Sequence, residues 1–257
     1  MNENKKLPLS TGERVDDLLT NDLKIIQSAD VFSFSLDAVL LARFCSVPFK
    51  GRIADLCTGN GVVPLLLTTR TQAQITGVEI QPRLADLARR NVLLNRLEGR
   101  ISICNEDLKT FHLTAGYGAF DLVTVNPPYL PVESGEHKLN PYVAGARHEI
   151  YCTLSDVIAA CSRLVKSGGK VALVHRPSRL AEIFAELRTT GLEPKRVRFV
   201  HPRPHQEANI VLIEALKDGK PELRLLPPLM VHEQDGRYTK ELADVFAGKS
   251  TELQYGM

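Results

Sequence analysis

The chain has 257 residues, of which 44% are hydrophobic and 24% charged, a composition typical of a globular protein with a sizeable core. Its formal net charge of +2 is too small to indicate a nucleic-acid partner by itself. Five widely spaced cysteines without a Cys-x-x-Cys pair disfavour a zinc or redox centre and predict a reduced, cytoplasmic protein. The first residues lack a secretory pattern, and no apolar run approaches the roughly 20 residues of a membrane span. We therefore expect neither a metal nor a membrane partner, and the composition indicates no oligomeric state.

The first 50 residues stand outside the regular pattern of the chain. Apolar residues recur at helical spacing from Leu36 to Phe44, directly after Ser33-Phe34-Ser35. This spacing predicts a helix that packs beside the main domain. We therefore interpret residues 1–50 as an N-terminal segment lying on that domain.

Residues 51–216 alternate between strand-like and helix-like segments, which predicts an α/β domain with a mostly parallel sheet and helices on both faces. Strands are predicted at 52–56, 74–80, 101–103, 120–125 and 170–174, and helices at 62–67, 82–95 and 179–190. Two further strand-like runs at 195–200 and 209–216 are joined by a short loop, which predicts an antiparallel hairpin. The result is a seven-stranded mixed sheet, followed by a C-terminal extension at 217–257.

A glycine-containing turn, Asp55-Leu56-Cys57-Thr58-Gly59-Asn60-Gly61, follows the first strand of this domain. Its glycines permit close approach of a ligand, and the helix after it offers free N–H groups. A dinucleotide-binding turn would carry a third glycine where this chain has Pro64. A carboxylate at Asp55 would repel a pyrophosphate and attract a cationic amino-acid ligand. This difference favours S-adenosylmethionine over NAD.

Acidic side chains follow the next two predicted strands. Glu79 ends the second strand, where a carboxylate can accept hydrogen bonds from both hydroxyls of a ribose. Asp107 follows the third strand and can accept a hydrogen bond from an adenine amino group. Either acid alone is typical of a solvated surface. Their placement after consecutive strands favours a ligand site, because α/β ligands bind at that edge of the sheet.

The segment Asn126-Pro127-Pro128-Tyr129 directly follows the apolar run at 120–125. Its prolines have no N–H, so the segment offers hydrogen-bond acceptors without competing donors. An aromatic ring beside these acceptors is suited to a planar group that carries an –NH₂. The simpler interpretation is a turn that ends a strand, since Asn and Pro are common there.

Together, these motifs resemble those of class I S-adenosylmethionine-dependent methyltransferases. The closer resemblance is to the bacterial subfamily that methylates N6 of the adenine next to the anticodon of a valine tRNA. It covers about residues 14–245, including residues 34–41 before the first strand and 146–149 after the Asn-Pro-Pro-Tyr segment. The resemblance implies a Rossmann-like fold, S-adenosyl-L-methionine as cofactor, an RNA substrate such as tRNA, and a methyltransferase catalytic domain at 51–216.

The resemblance also implies residue roles. Asp55, Gly59 and Gly61 would surround the methionine part of the cofactor, Glu79 would bind its ribose, and Asp107 with Leu108 its adenine. Ser35 and Asp37 match a segment that covers the methionine end, although Ser35 could simply cap a helix. The predicted cofactor-binding residues are Ser35, Asp37, Asp55, Thr58, Gly59, Asn60, Gly61, Glu79, Ile80, Asp107, Leu108 and Asn126. The predicted catalytic residues are Asn126, Pro127 and Tyr129.

Substrate contacts are expected outside the cofactor motifs. The segment at 131–151 contains Arg147 and His148 among glycines and prolines, which favours a recognition loop over a plain linker. The predicted hairpin carries Arg196, Arg198 and Arg203, which could contact phosphates from one face or serve only as solubilising edge charges. With Tyr129, these are the predicted substrate-binding residues.

Other functions compete with adenine methylation. The same tetrapeptide occurs in methyltransferases that modify a glutamine side-chain amide of translation factors, although these normally carry an additional helical domain. Methylation of a small molecule is a further alternative, but the basic residues of the predicted hairpin do not favour it. A noncatalytic RNA-binding module with a retained cofactor fold is the alternative from another class. The combined presence of Asp55, Glu79, Asp107, Asn126 and Tyr129 argues against such degeneration.

Overall fold

The computed structural model describes residues 8–28, 31, 35–129 and 150–249. The strands are β1 (Glu13–Asp17), β2 (Lys24–Ser28), β3 (Arg52–Leu56), β4 (Gln74–Val78), β5 (Ile101–Cys104), β6 (Phe120–Val125), β7 (Val165–His175), β8 (Leu192–His201), β9 (Ile210–Lys217), β10 (Arg224–Leu225) and β11 (Leu229–Met230). The helices are α1 (Leu36–Phe44), α2 (Val62–Leu67), α3 (Pro82–Leu94), α4 (Phe111–Ala115), α5 (Leu154–Leu164), α6 (Leu180–Thr189) and α7 (Lys240–Phe246), with a 3₁₀ turn at Pro177–Arg179.

The main sheet has the order β10-β8-β9-β7-β6-β3-β4-β5, and β11 also pairs with β8. Strands β5, β4, β3, β6 and β7, which are neighbours in that order in the sheet, are all parallel. Strand β9 runs antiparallel to both β7 and β8. The predicted α/β class and antiparallel hairpin are thus confirmed. The sheet has nine strands instead of the predicted seven, because β10 and β11, two residues each, extend it along β8.

Apolar side chains cover both faces of the main sheet. Because side chains alternate along a strand, Ile53 faces one core while Ala54 faces the other. The first core includes α1 and α2 together with Leu242 and Val245 of α7, and the second includes α5 and α6. Both the N-terminal and the C-terminal segments therefore contribute to the same core as the sheet.

An unpredicted hairpin, formed by β1 and β2, packs against α3. Arg83 and Arg90 of that helix form ion pairs with the Glu13 carboxylate, at 3.1 and 2.7 Å. The hydrogen bond from Arg90 lowers the pKa of Glu13 to about 2, so the carboxylate is charged at neutral pH. The sequence did not indicate these strands because most of their side chains, in Glu-Arg-Val-Asp-Asp and Lys-Ile-Ile-Gln-Ser, are polar.

The fully buried side chain of Asn91 links this hairpin to the turn after β3. Its Oδ1 accepts a hydrogen bond from the Ile26 N–H at 2.6 Å. Its Nδ2 donates to the carbonyl of Asn60 at 2.9 Å and to that of Ile26 at 3.3 Å. One helical residue thus satisfies backbone groups of two segments that are distant in sequence.

We expect Asn91→Ala to lower the free energy of unfolding by on the order of 3 kcal/mol, because it leaves buried backbone groups unpaired. Asn95→Ala is the matched control. Asn95 bonds to both backbone groups of Lys24 in the same way one helical turn later, but it is only half-buried and these hydrogen bonds are exposed to solvent. The control should lose less than about 1 kcal/mol, because water can replace its bonds. Urea unfolding of both variants measures the difference, and equal losses would contradict this role of Asn91.

Within these described ranges, no helix combines the length and apolar character needed to cross a bilayer.

Candidate active site

A cavity of about 470 Å³ opens at the carboxyl edge of the parallel strands. The register pairs Leu56 of β3 with Val78 of β4 and Val125 of β6, so the segments after these strands emerge side by side. The volume lies in the usual range for cofactor and small-molecule sites. The polar side chains and prolines that line it include Ser35, Asp37, Thr58, Asn60, Glu79, Gln81, Glu106, Asp107, Asn126, Pro127, Pro128 and Arg176.

The turn after β3 forms one wall of this cavity. Gly59 and Gly61 adopt positive φ values of 56° and 87°, which a residue with a side chain rarely adopts. A Cβ at Gly61 would also lie 3.3 Å from the Cβ of Ala88 in α3. The second glycine therefore lets the turn pack closely on the helix, while Thr58, Gly59 and Asn60 line the cavity.

The structure places Asp55 beneath this turn and outside the cavity lining, in contrast to the expected cofactor contact. Its carboxylate is 1% exposed and accepts hydrogen bonds from the hydroxyls of Thr58 and Thr124, each at 2.6 Å. Burial raises the pKa of Asp55 to about 7, although these two bonds oppose the shift. Asp55 thus positions the turn and is only partly ionised at neutral pH. The electrostatic preference for a cationic ligand must come from acids that face the cavity.

Glu79 is one such acid, and it also holds the turn. Its two carboxylate oxygens accept hydrogen bonds from the N–H groups of Gly59 and Gln81, both at 2.9 Å. Burial raises the pKa of Glu79 above its usual value, while the backbone bonds stabilise the charged form. Each oxygen retains acceptor capacity, so the carboxylate can also bind a diol.

The third predicted acid, Asp107, also lines the cavity. Asp107 accepts a hydrogen bond from the Lys109 N–H at 2.9 Å, and its other oxygen lies 3.4 Å from the Lys109 ammonium. The side chain is half-buried, and Leu108 beside it is buried and lines the same cavity. This combination provides an acceptor next to an apolar surface, which suits a purine ring.

The lining also contains an unpaired acceptor that the sequence analysis did not identify. Gln81 is 5% exposed, and its Oε1 is buried without a hydrogen-bond partner among the described residues. A ligand hydroxyl or amino group would satisfy this atom. Together with Glu79, Asp107 and the glycine turn, it fits a nucleoside cofactor such as S-adenosylmethionine. In the described part of the chain, no cluster of His, Cys, Asp or Glu is arranged to hold a metal ion.

The Asn126-Pro127-Pro128-Tyr129 segment lines the same cavity, directly after β6. Both prolines are buried and Asn126 is half-buried. The Tyr129 hydroxyl donates its single proton to Asn126 Oδ1. Burial and the neighbouring Asp37 carboxylate raise the pKa of Tyr129 well above its usual value. Because an amide oxygen has two lone pairs, Asn126 can still accept a bond from a substrate amine.

The Tyr129 ring is enclosed by residues at the end of β7. The His175 ring packs at 60° to it with centroids 5.0 Å apart, and the Arg176 guanidinium carbon lies 5.2 Å from its centroid. The Arg176 guanidinium therefore occupies one face of the Tyr129 ring. Arg176 also lines the cavity and was not among the predicted residues.

Ser35 and Asp37 both line the cavity from the start of α1. The Ser35 side chain makes no capping hydrogen bond, which disfavours the simpler interpretation of this residue. Burial raises the pKa of Asp37, although the neighbouring Tyr129 hydroxyl and the positive charge of Arg176 oppose the shift. Asp37 therefore contacts the Asn-Pro-Pro-Tyr segment at the point where the cofactor and acceptor halves meet.

The predicted basic face is mostly engaged in intramolecular contacts. Arg196 forms an ion pair with Glu214 at 3.2 Å and lies over the Phe44 ring, while Arg198 is 6% exposed and bonds to Glu241. These two guanidinium groups do not form an open surface, in contrast to the expectation. They hold α1 and α7 against the edge of the sheet.

The other predicted substrate residues have different outcomes. Arg203 lies in the exposed loop after β8, and its side chain has no ion-pair partner within the described ranges. Arg147 and His148 lie outside the described residues.

Comparison with known proteins yields a consistent set of relatives. The model of the methyltransferase small domain family matches residues 22–190. A tRNA1(Val) (adenine(37)-N6)-methyltransferase of Porphyromonas gingivalis is 30% identical, over 84% of this chain and 88% of the relative. The enzyme of that name from Aeromonas hydrophila is also 30% identical, over 79% and 84%.

Solved structures support the same fold. A structure described as a predicted O-methyltransferase from Agrobacterium tumefaciens has a TM-score of 0.68 and 27% identity, covering 84% of this chain and 97% of that one. A geranyl diphosphate C-methyltransferase from Streptomyces coelicolor, in complex with S-adenosyl-L-homocysteine, has a TM-score of 0.53 and 14% identity, covering 70% and 78%. At that identity the likeness concerns the fold alone.

Proposed function

Because the chain belongs to the methyltransferase small domain family, we propose that it transfers a methyl group from S-adenosylmethionine to N6 of an adenine in tRNA, next to the anticodon. The observation that carries the proposal is the position of Asn126, Pro127 and Tyr129 at the cavity that Glu79 and Asp107 also line. The family match bears out the predicted enzyme class. The relatives named as tRNA adenine-N6-methyltransferases support RNA as the substrate.

The cofactor half of the cavity is suited to a cationic nucleoside ligand. Glu79 would accept hydrogen bonds from the ribose hydroxyls, Asp107 would accept from the adenine amino group, and Gln81 Oε1 would bind a further donor. The acids that line the cavity would attract the positive charges of the sulfonium and the ammonium. When bound, S-adenosylmethionine supplies an electrophilic methyl group.

The acceptor half is suited to the amine that receives this methyl group. The N6 lone pair of adenine is delocalised into the ring, which makes the amine a poor nucleophile. Hydrogen bonds from the amine to Asn126 Oδ1 and the Pro127 carbonyl would localise electron density on nitrogen and align it with the methyl group. The chain need not supply a strong base, because alignment and electrostatic complementarity are its main tasks. The proton lost from nitrogen can pass to water after transfer.

Tyr129 would stack on the target base, and the half-buried site requires that base to leave its stack in the RNA. This requirement is readily met near an anticodon, where bases are in a loop. The same slot would accept a glutamine amide. The proposal therefore needs a direct test of the substrate class.

Transfer of labelled methyl groups tests it. The purified chain is incubated with labelled S-adenosylmethionine and separate tRNA, rRNA and protein fractions from a strain that lacks the gene. We expect the label in tRNA, recovered as N6-methyladenosine after digestion. The Asn126→Ala variant serves as the control for label introduced by contaminating enzymes. Label confined to protein would overturn the proposal in favour of glutamine methylation.

A further inference from the structure

The charges that line the cavity are unevenly distributed. Four acids line it, Asp37, Glu79, Glu106 and Asp107, whereas Arg176 is the single Lys or Arg of the described lining. Four carboxylates suit the cationic part of a ligand, and one cation beside Tyr129 suits an anionic part. The acceptor end of the cavity therefore has the chemistry to bind a negative group.

Arg176 is held in a defined orientation. Its Nη1 donates to the Asn209 carbonyl at 2.8 Å, and its backbone N–H donates to Nδ1 of His175, also at 2.8 Å. Burial, with a contribution from Arg179, lowers the pKa of His175 to about 4, so His175 is neutral at pH 7. The positive charge next to Tyr129 therefore belongs to Arg176.

Most of the guanidinium remains available to a ligand. Within the described part of the chain, no carboxylate forms an ion pair with Arg176, and its contact with the Tyr129 ring uses no N–H group. One donor bonds to Asn209, which leaves several of the five guanidinium N–H groups for a bidentate contact. Because the side chain is already oriented, a planar anion can bind at a small cost in side-chain entropy.

The location of Arg176 indicates which anion it would meet. Asn209 is exposed, so the guanidinium that bonds to it lies towards the mouth of the cavity. The loop that ends at Asn209 also contains the exposed Arg203, at the end of β8 on the same edge of the sheet. Only β9 separates β7 from β8, so the ends of these two strands lie about 10 Å apart. An RNA backbone that passes the mouth would meet both side chains.

We propose that Arg176 binds the backbone phosphate that flanks the target nucleotide, and that Arg203 contacts a phosphate farther along the same strand. The inference rests on the proposed function, because it takes RNA as the substrate. The Arg176 contact holds the nucleotide backbone at the mouth while Tyr129 and Asn126 hold the base inside. Arg176 is thus a substrate-binding residue that contacts the RNA backbone and does not read the base sequence.

The salt dependence of RNA binding tests this assignment. The dissociation constant of unmodified valine tRNA is measured over a range of NaCl concentrations for wild type, Arg176→Gln, Arg176→Lys, Arg203→Gln and Arg188→Gln. Each lost phosphate contact should reduce the slope of log K against log salt by about 0.7 to 0.9. We expect this reduction for Arg176→Gln and for Arg203→Gln, and about twice the reduction for a variant that carries both substitutions, measured in the same way. Arg176→Lys should keep the wild-type slope, since the charge remains.

Arg188→Gln is the matched control. Arg188 is exposed and pairs with Glu193 at the opposite edge of the sheet, so its loss should leave the slope unchanged. The affinity for S-adenosylhomocysteine, measured by calorimetry, should be the same in Arg176→Gln and wild type. This arm also reports whether the variant is folded.

The outcomes separate the possible roles of Arg176. An unchanged salt slope with weaker S-adenosylhomocysteine binding would overturn the inference and assign Arg176 to the cofactor carboxylate. An unchanged slope with unchanged cofactor binding would also overturn the inference. Arg176 would then only position the Tyr129 ring. If wild type methylates tRNA in either case, the proposed function stands while this inference fails. If wild type neither binds nor methylates tRNA, both fail.

Discussion

Asn126→Ala is expected to lower the rate of methyl transfer by about 100- to 1,000-fold while leaving cofactor affinity within about threefold of wild type. The magnitude is that seen when one preorganised hydrogen-bonding group is removed from an active site. The variant removes the amide oxygen that would polarise the amine, and it also removes the acceptor of the Tyr129 hydroxyl. Single-turnover kinetics with saturating S-adenosylmethionine measure the chemical step, and calorimetry with S-adenosylhomocysteine measures binding.

Asn126→Asp is the matched control for this variant, because it preserves the shape of the side chain and an acceptor oxygen. We expect it to retain more activity than Asn126→Ala, since the amine can still donate a hydrogen bond. Wild-type single-turnover rates in Asn126→Ala would contradict the acceptor role. A matched loss of cofactor affinity would instead assign Asn126 to cofactor binding.

Glu79→Gln is expected to weaken S-adenosylhomocysteine binding by about 10-fold, and Glu79→Ala by about 100-fold or more. Hydrogen bonds to a charged group typically contribute about 1.5 to 3 kcal/mol each. Glutamine keeps one acceptor oxygen, whereas alanine removes both the hydrogen bonds from the Gly59 and Gln81 N–H groups and the proposed acceptor for the ribose hydroxyls. Titration calorimetry gives both affinities directly.

Thermal unfolding of the ligand-free variants separates binding from folding. Glutamine has one acceptor oxygen, so Glu79→Gln leaves either the Gly59 or the Gln81 N–H facing an amide NH₂ group and should lower the melting temperature moderately, while the variant still folds at the temperature of the titration. The exposed Glu98→Gln provides a control for the loss of one negative charge. Equal cofactor affinity in Glu79→Gln, Glu98→Gln and wild type would contradict a ribose contact by Glu79.

Local patterns in the sequence were sufficient to predict the central sheet. Strands such as β3 (Arg-Ile-Ala-Asp-Leu) and β6 (Phe-Asp-Leu-Val-Thr-Val) are short, mostly apolar runs, and α3 has clear helical spacing after Pro82, so each could be recognised from its own residues. The β1–β2 hairpin could not, because its polar residues gain stability from Arg83, Arg90 and Asn91 of a distant helix. Helices α4 and α5 were also not predicted; α4 has only five residues, and α5 begins just after the segment 131–151, which was interpreted as a recognition loop.

Local sequence patterns also identified only some of the residues of the site. Glu79 and Asn126 directly follow β4 and β6, and Asp107 lies shortly after β5, so the register of the sheet brings them to one cavity. Asp55 lies near the end of β3, but its side chain points to Thr58 and Thr124 beneath the turn, a direction that spacing does not reveal. Arg176 and Gln81 carry no sequence motif. Their importance depends on contacts with Tyr129, Asn209 and the cavity, which only the folded chain brings together.

Methylation of adenine N6 in tRNA by this site is tested by mass spectrometry of valine tRNA transcripts after incubation with the enzyme and S-adenosylmethionine. One transcript has adenine at position 37 and the other has guanine there. We expect N6-methyladenosine at position 37 of the first transcript and none in the second. Absence of N6-methyladenosine from the adenine transcript, or equal methylation of both, would contradict this expectation.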